Sequence, residues 1–405
     1  MRQFFRQFSV SPLRAALAVL LVALHLGVIA AALAGSWKDT FAALFVPAMD
    51  IPFGDFRVVT SAVASAEQGL DPLLANPADH RGRPLNYPRV WLTIGRAFPG
   101  ETGVVVGGLL LAIAFSGAVG WLVATQKSTA ASLAIFSVAV SSSTWLALER
   151  GNTDLAIFVL IALGLFIPWR ARAVFFGVAA VLKVFPVAAV FAKLARDRST
   201  LSLFMSVAVV IYLAAIVNDL TQIARTTEVE GFLSFGLKSA ILLFGGATPP
   251  IGPEPIYTAF ALGAVVAIAA ALLLPLRGRV EVRDEEAALI GGAMLLLCYV
   301  AASNWDYRLI FALFMIPYVL RPGPAVERAL GWSAVAAIVV SCNFSALMYV
   351  MGDMGVVVNA AAKFLLYCMV VFTVTRVILA DPVIEGLRAK FRARSHRPLE
   401  KGKEP

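Results

Sequence analysis

The chain is short of charge, cysteine and histidine. Only 15% of its 405 residues are Asp, Glu, Lys or Arg, against about a quarter in a soluble domain, which excludes an ordinary water-solvated surface. The three cysteines, Cys298, Cys342 and Cys368, all fall inside apolar runs, where a free thiol acts as a small hydrophobe; this excludes a disulfide framework and a zinc spacing. The three histidines lie far apart in sequence. His25 sits in the middle of an apolar run and reads as packing or a single hydrogen bond, while His80 and His396 lie in polar surroundings. Asp50 with Asp55 is too small a carboxylate set to argue a divalent site. No metal and no cofactor is expected.

What the chain has instead is apolar length. It is 60% hydrophobic with a mean hydropathy of +0.83, the composition of a polytopic membrane protein. The net charge of +9 sits in short clusters between apolar runs and in the tail 380–405. That distribution fits the positive-inside rule and anionic membrane lipids, not nucleic acid. The first run, 13–34, has the basic start of a signal peptide (Arg2, Arg6, Arg14) but is too long for one, so it reads as a retained anchor. Both termini are then expected in the cytoplasm, in a plasma membrane.

The expected fold is an all-α polytopic bundle, a single integral membrane domain over residues 1–405. Ten full crossings are read at 13–34, 103–125, 130–148, 155–168, 201–218, 256–274, 287–303, 309–320, 329–350 and 356–379. The segment 173–192 is flanked by basic clusters on both ends, Arg170 and Arg172 before it and Lys193, Arg196 and Arg198 after it. If both clusters are cytoplasmic it cannot cross once. A re-entrant pair of half-helices breaking near Lys183-Val184-Phe185-Pro186 solves this, since proline removes a helical hydrogen bond. The plainer alternative is one ordinary span with a snorkelling Lys183.

Two long outer loops remain. The first, 35–102, carries seven carboxylates and six Lys/Arg, so the polar chemistry of the chain is concentrated there. Short interfacial helices are expected at 36–44 and 56–68, the second ended by Gly69 and Pro72. The second outer loop, 218–255, is expected to hold an interfacial helix at 232–244.

Asp55 is the leading catalytic candidate. Alone it reads as a helix N-cap. Asp50, Pro52 and Gly54 around it, however, indicate a shaped loop, and a held carboxylate at a membrane surface suits general-base work. Arg57, Tyr87 and Arg89 lie in the same loop, and Arg150 and Asn152 in the turn Glu149-Arg150-Gly151-Asn152-Thr153-Asp154. Lys183, Arg308 and Lys363 are cations at or near membrane depth, where charge is expensive and marks a polar cavity. Simpler readings pair Arg308 with Asp306, and Lys363 with Asp353. With no matching buried acids evident, these cations point to an anionic ligand such as a lipid phosphate.

The order of these stretches is a pattern. An Asp follows the first span; then come Gly69-Leu70-Asp71-Pro72, Asn86-Tyr87-Pro88, Gly151-Asn152, Lys183 with Pro186, and Asn304-Trp305-Asp306-Tyr307-Arg308. Over about residues 50–320 this resembles glycosyltransferase family 87, a branch of the GT-C membrane glycosyltransferases. The resemblance implies a GT-C-like bundle, a polyprenyl-phosphate sugar as donor, and Asp55 as catalytic base by position. It also implies that Lys183 with Pro186, and Asp306-Tyr307-Arg308, lie near the donor cavity. Leu73 and Arg89 depart from the family's Tyr and second Pro, which bears on the identity of sugar and acceptor.

The function expected is therefore transfer of a hexose such as mannose from a polyprenyl phosphate to a hydroxyl of a lipid-linked or glycan acceptor, at the outer membrane face and with inversion. A lipid or polysaccharide transporter or flippase is the alternative, and a non-catalytic scaffold a third. A transporter calls for internal repeats, and the first outer loop has no counterpart in the second half.

Overall fold

The computed structural model describes residues 11–166, 171–197, 199–227, 231–246, 251–274, 281–300 and 304–384. The basic N-terminus, Arg170, Arg198, the run 275–280 and the tail from 385 lie outside them. The described chain is almost entirely helical. In order it runs α1 (Pro12–Ala34), α2 (Trp37–Ala42), α3 (Gly54–Glu67), α4 (Val90–Gly95), α5 (Gly100–Ala124), α6 (Thr129–Ala139), α7 (Ser142–Arg150) and α8 (Asp154–Phe166). Next come α9 (Arg172–Leu182), α10 (Val187–Asp197), α11 (Thr200–Ala215), α12 (Val217–Thr226), β1 (Ser234–Phe235), α13 (Leu237–Gly245), α14 (Pro253–Leu273) and α15 (Val282–Val300). Last are β2 (Asn304–Trp305), a 3-10 helix (Asp306–Phe314), α16 (Ile316–Val319), α17 (Ala325–Ser341), α18 (Phe344–Met351) and α19 (Asp353–Leu379).

Among the described residues four helices, α1, α5, α14 and α19, are long and apolar enough to cross a membrane. Three bent pairs bring this to seven if each is one span: α6 with α7 (54°), α11 with α12 (66°) and α17 with α18 (74°). The protein is thus a membrane-embedded helical bundle. Helix α1 starts conventionally, with Ser11 accepting from the Arg14 N–H and Pro12 in the first turn. His25, inside it, is a buried packing residue that bonds Ser116 Oγ (3.0 Å) and the Ala139 carbonyl (2.9 Å).

The segment read as a re-entrant pair does break where proline predicts. Helix α9 ends at Leu182, Lys183 is extended, and α10 begins at Val187. Arg172, at the start of α9, pairs with Glu286. Lys193 near the end of α10 reaches the same carboxylate (3.2 Å), and Arg196 reaches Glu285 (2.7 Å). Both ends of the segment therefore meet the first turns of α15, while its apex contacts Asp154 at the start of α8. The segment doubles back on itself.

The run 309–320 is not a helix facing lipid. Its first half is 3-10 helix and its second half holds the short α16, and Leu309, Ile310, Phe311, Ala312, Leu313 and Phe314 are all fully buried. Irregular backbone is tolerated at membrane depth where protein covers it, and α7, α15 and α17 pack around this stretch. The proposed helix 232–244 is also revised. Its first residues form β1, paired antiparallel with β2 (Ser234 opposite Trp305, Phe235 opposite Asn304), and the helix begins only at Leu237.

Helix α5 positions the long loop between α1 and α5. A Cβ at Gly107 would meet the Phe56 ring at 2.1 Å, and one at Gly108 the Phe53 ring at 2.2 Å. Two glycines in a membrane-length helix thus open a slot for two loop aromatics.

Candidate functional site

The loop before α3 is held in a rarely used shape. Phe53 is fully buried and left-handed (φ 53°, ψ 44°), a conformation that costs a non-glycine residue about 1–2 kcal/mol. Three contacts enforce it. The Phe53 N–H donates to the Glu149 carbonyl (3.2 Å), its ring packs on Trp37 (4.9 Å between centroids), and Gly151 closes over it, where a Cβ would stand 2.9 Å from Phe53 Cβ. The Glu149 carboxylate is buried and accepts from the Met49 N–H (2.8 Å) and Trp37 Nε1 (3.1 Å). Gly54 is required as well, because a Cβ there would meet Met49 Sδ at 2.1 Å.

The product of this shaping is Asp55. It is the second residue of α3, which begins two positions earlier than the hydrophobic pattern indicates, and its side chain is not a cap. One oxygen accepts from Asn152 Nδ2 at 2.6 Å; the other pairs with Arg83 Nη1 at 3.3 Å. The carboxylate stays 16% exposed, so it is fixed yet reachable. Arg83 also donates to the Gly54 carbonyl (2.7 Å) and forks onto Asp79 (both 3.1 Å). Burial opposes ionisation of Asp79, but the Arg83 side chain and the Arg83 and Arg81 N–H groups outweigh it and hold the carboxyl below its usual range.

Asn152 does two things. Its amide nitrogen holds Asp55, and its amide oxygen accepts the Asp154 N–H (2.8 Å) at the start of α8. That places Asp154, fully buried, in the first turn of a helix, where a carboxylate is favoured. Asp154 pairs with Lys183 Nζ at 2.7 Å and with Arg308 Nε at 3.2 Å. Lys183 donates also to Thr153 Oγ1 (3.0 Å) and lies over the Tyr87 ring (4.9 Å). The apex of the α9–α10 hairpin is pinned by Trp91 Nε1, which donates to the Leu182 carbonyl (2.8 Å).

These residues border a cavity of about 280 Å³ lined by, among others, Tyr87, Lys183, Lys238, Asn304, Tyr307 and Arg308. Three cations line it, and no carboxylate does among the described residues; Asp154 lies behind Lys183 and Arg308. Asp55 stands one residue back from the lining, linked through Asn152 to Tyr307. The phenol of Tyr87 is pushed well above its usual range, by burial first and then by the Asp55 charge. It is a hydrogen-bond donor in this wall, not an anion.

Six of the residues singled out from sequence therefore come together: Asp55, Tyr87, Asn152, Lys183, Tyr307 and Arg308. Others do not join them. Asp50 turns outward to Lys38 (2.8 Å), both exposed, and is no part of the Asp55 environment. Arg57 forks onto Glu101, with Nη2 at 2.6 Å from Oε2. Arg89 bridges Asp71 (2.8 Å) and Asp219 (3.0 Å), tying the loop between α1 and α5 to α12. Arg150 pairs with Glu149 (2.9 Å) and the Pro47 carbonyl (3.2 Å).

Asp306 and Lys363 bind each other (2.7 Å) away from this cavity. Lys363 therefore does not pair with Asp353, nor Arg308 with Asp306. The supposed lack of buried acids is also corrected, since Lys183 and Arg308 share Asp154 and Lys363 has Asp306. What survives is an imbalance, two cations on one buried acid with Lys238 added at the cavity wall. Sequence reading passed over Arg83, Asp79, Thr153, Asp154 and Lys238. The position of Asp154, directly after Gly151-Asn152-Thr153 and at the head of an apolar run, was the available signal.

Among the described residues no three His, Cys, Asp or Glu side chains gather in a metal-binding group. No family model, no curated protein and no solved structure matches the chain.

Proposed function

We propose that this protein is a membrane glycosyltransferase that moves a hexose, mannose in the first instance, from a polyprenyl phosphate to a hydroxyl of a lipid-linked or glycan acceptor. In this reading the bundle crosses the plasma membrane ten times, with the α9–α10 hairpin re-entrant from the cytoplasmic side and the Asp55 site at the outer face. One observation carries it: a cavity lined by three cations and, among the described residues, by no carboxylate is linked through Tyr307 and Asn152 to a carboxylate held by Asn152 and Arg83.

The chemistry follows from those groups. Asp55 takes the proton of the acceptor hydroxyl as its oxygen attacks the anomeric carbon. The bond from that carbon to the phosphate oxygen breaks, and its electron pair leaves with the lipid phosphate, inverting the centre. Lys183, Arg308 and Lys238 face the charge that builds on the leaving phosphate, in a setting where fixed charges act strongly. A lone monophosphate surrounded by cations can leave without a metal.

The test is a panel of polyprenyl-phosphate sugars, with the matching polyprenols as uncharged controls, added to the purified protein in nanodiscs. A true donor at 100 times its dissociation constant adds about 2.7 kcal/mol of stability and supports sugar transfer to an added acceptor. If polyprenols stabilise as well as the phosphates, the cationic cavity is not a donor-phosphate site.

A further inference from the structure

A second cavity, of about 390 Å³, lies on the other side of the β1–β2 ribbon. Its walls come from α13, the first turns of α14 (Ile256, Ala259, Phe260) and α19 (Val357, Ala360, Phe364). Both long helices are apolar enough to span a membrane. Val357, 59% exposed, stands at the opening, so the cavity opens where those two helices face lipid. Its size is that of a ligand pocket, and its lining is nearly all apolar.

The few polar side chains in it are Ser234, Ser239, Tyr299, Asn359 and Lys363, and the Tyr299 hydroxyl is already spent on the Lys363 carbonyl (2.9 Å). Two facts about them define a ligand. First, the charge of Lys363 is cancelled within the protein: Nζ lies 2.7 Å from the carboxylate of the buried Asp306, donates to the Ser234 carbonyl (2.9 Å), and sits over the Phe344 ring (5.0 Å). An anionic head entering here would find Lys363 already paired with Asp306, and among the described residues no carboxylate lines the cavity for a cationic one. Second, Ser234 Oγ and Asn359 Oδ1, on residues 2% and 1% exposed, have no hydrogen-bond partner among the described residues. One can donate and accept, and the other accepts only. Buried groups of this kind are normally satisfied, and a hydroxyl is the one simple head group that can both donate to an Asn oxygen and accept from a Ser hydroxyl.

We propose that this cavity binds a membrane lipid with an uncharged hydroxyl head, of the diacylglycerol type. An acyl chain lies between α14 and α19, and the hydroxyl reaches Ser234 and Asn359. Entry is lateral, from the bilayer past Val357. The proposal does not depend on sugar transfer, because it uses none of the residues around Asp55.

The experiment uses the full chain in zwitterionic nanodiscs with three photoreactive lipids that carry the same diazirine acyl chain: diacylglycerol, its methyl ether and phosphatidic acid. Labelled peptides are mapped by mass spectrometry. Diacylglycerol should label the segments 256–260 and 356–364 over its methyl ether by about fivefold, the size expected of one net hydrogen bond, and over phosphatidic acid by more. Ala360→Phe fills the cavity and should reduce this labelling to background. Ser234→Ala changes no charge and no volume of note, and should shrink the preference over the methyl ether. Asp306→Asn leaves Lys363 uncancelled and should turn the preference toward phosphatidic acid. Equal or stronger phosphatidic acid labelling of the parent overturns the proposal. So does unchanged labelling of Ala360→Phe, or labelling that misses both segments.

Discussion

Two cavities meet at the short ribbon of Ser234–Phe235 and Asn304–Trp305, and they differ in how their buried charges are matched. On one side Asp154 is shared by Lys183 and Arg308, and Lys238 adds a third cation to the wall. On the other, Lys363 has Asp306 to itself. Two additional carboxylates, one for the buried pair and one for Lys238 at the wall, would make the first cavity resemble the second. Buried charge is tolerated in both because each ion is paired and hydrogen-bonded. Among the described residues only the first keeps a surplus of positive charge for a ligand, and only the first is linked, through Tyr307 and Asn152, to a held carboxylate, Asp55. The stoichiometry of acids and bases, more than the size of either cavity, separates a site for an anion from a site for a neutral amphiphile.

The comparison breaks most severely at Asp154. Removing one partner from a buried ionic cluster leaves the others uncompensated, at a cost of about 3–5 kcal/mol. Asp154→Ala should therefore lower the thermal midpoint sharply and reduce the yield of monodisperse protein, measured by fluorescence-detected size exclusion after heating. A stable Asp154→Ala protein would mean that Lys183 and Arg308 are solvated in the cavity and do not need the shared acid.

Lys183→Met is a milder change. It removes one cation, keeps the apolar stem, and leaves Asp154 paired one-to-one with Arg308, so the buried charges of the first cavity come to match those of the second and Lys238 alone remains in surplus at the wall. Affinity for a polyprenyl-phosphate sugar should fall by about tenfold, the weight of one charge-assisted hydrogen bond, with little loss of stability. Unchanged affinity would reduce Lys183 to a structural partner of Asp154.

The smallest effect concerns pH. Asp79 titrates in the folded protein below its ordinary value of 3.8, so the Asp79–Arg83 contact contributes fully above that value and is lost as pH falls through the lowered one. Hydrogen-exchange protection of residues 76–87, corrected for intrinsic rates, should stay flat from about pH 8 to about pH 5 and decline only in more acid solution. A decline centred near neutral pH would show that another group holds the loop that carries Arg83.

How much of this the sequence could disclose depended on whether the signal was local. The shaped loop around Asp55 was legible from Pro52 and Gly54, and the break at Lys183 from Pro186, since proline and glycine act on their own backbone. The partners were not legible. Lys183 finds Asp154 from 29 positions away and Lys363 finds Asp306 from 57, and nothing in a single sequence selects those acids over nearer ones such as Asp353. The apolar run 309–320 reads as a short crossing, and its 3-10 start and full enclosure by protein are not legible, because hydropathy cannot distinguish burial in protein from burial in lipid. Asp50 misled for a related reason. Five positions from Asp55 it looks like a companion, but the left-handed turn at Phe53 sends the two side chains to different surroundings.

The central claim is that Asp55 accepts a proton from the acceptor, and the most direct measurement is turnover of Asp55→Asn beside Asp50→Asn. The first substitution keeps size and the capacity to accept a hydrogen bond from Asn152 but removes the base. Transfer should fall by about a hundredfold to ten-thousandfold, with donor affinity and thermal midpoint near the parent's, while Asp50→Asn stays near parental rate because its pair with Lys38 is exposed. Parent-like turnover in Asp55→Asn, at normal protein levels, would contradict the claim and move the base elsewhere.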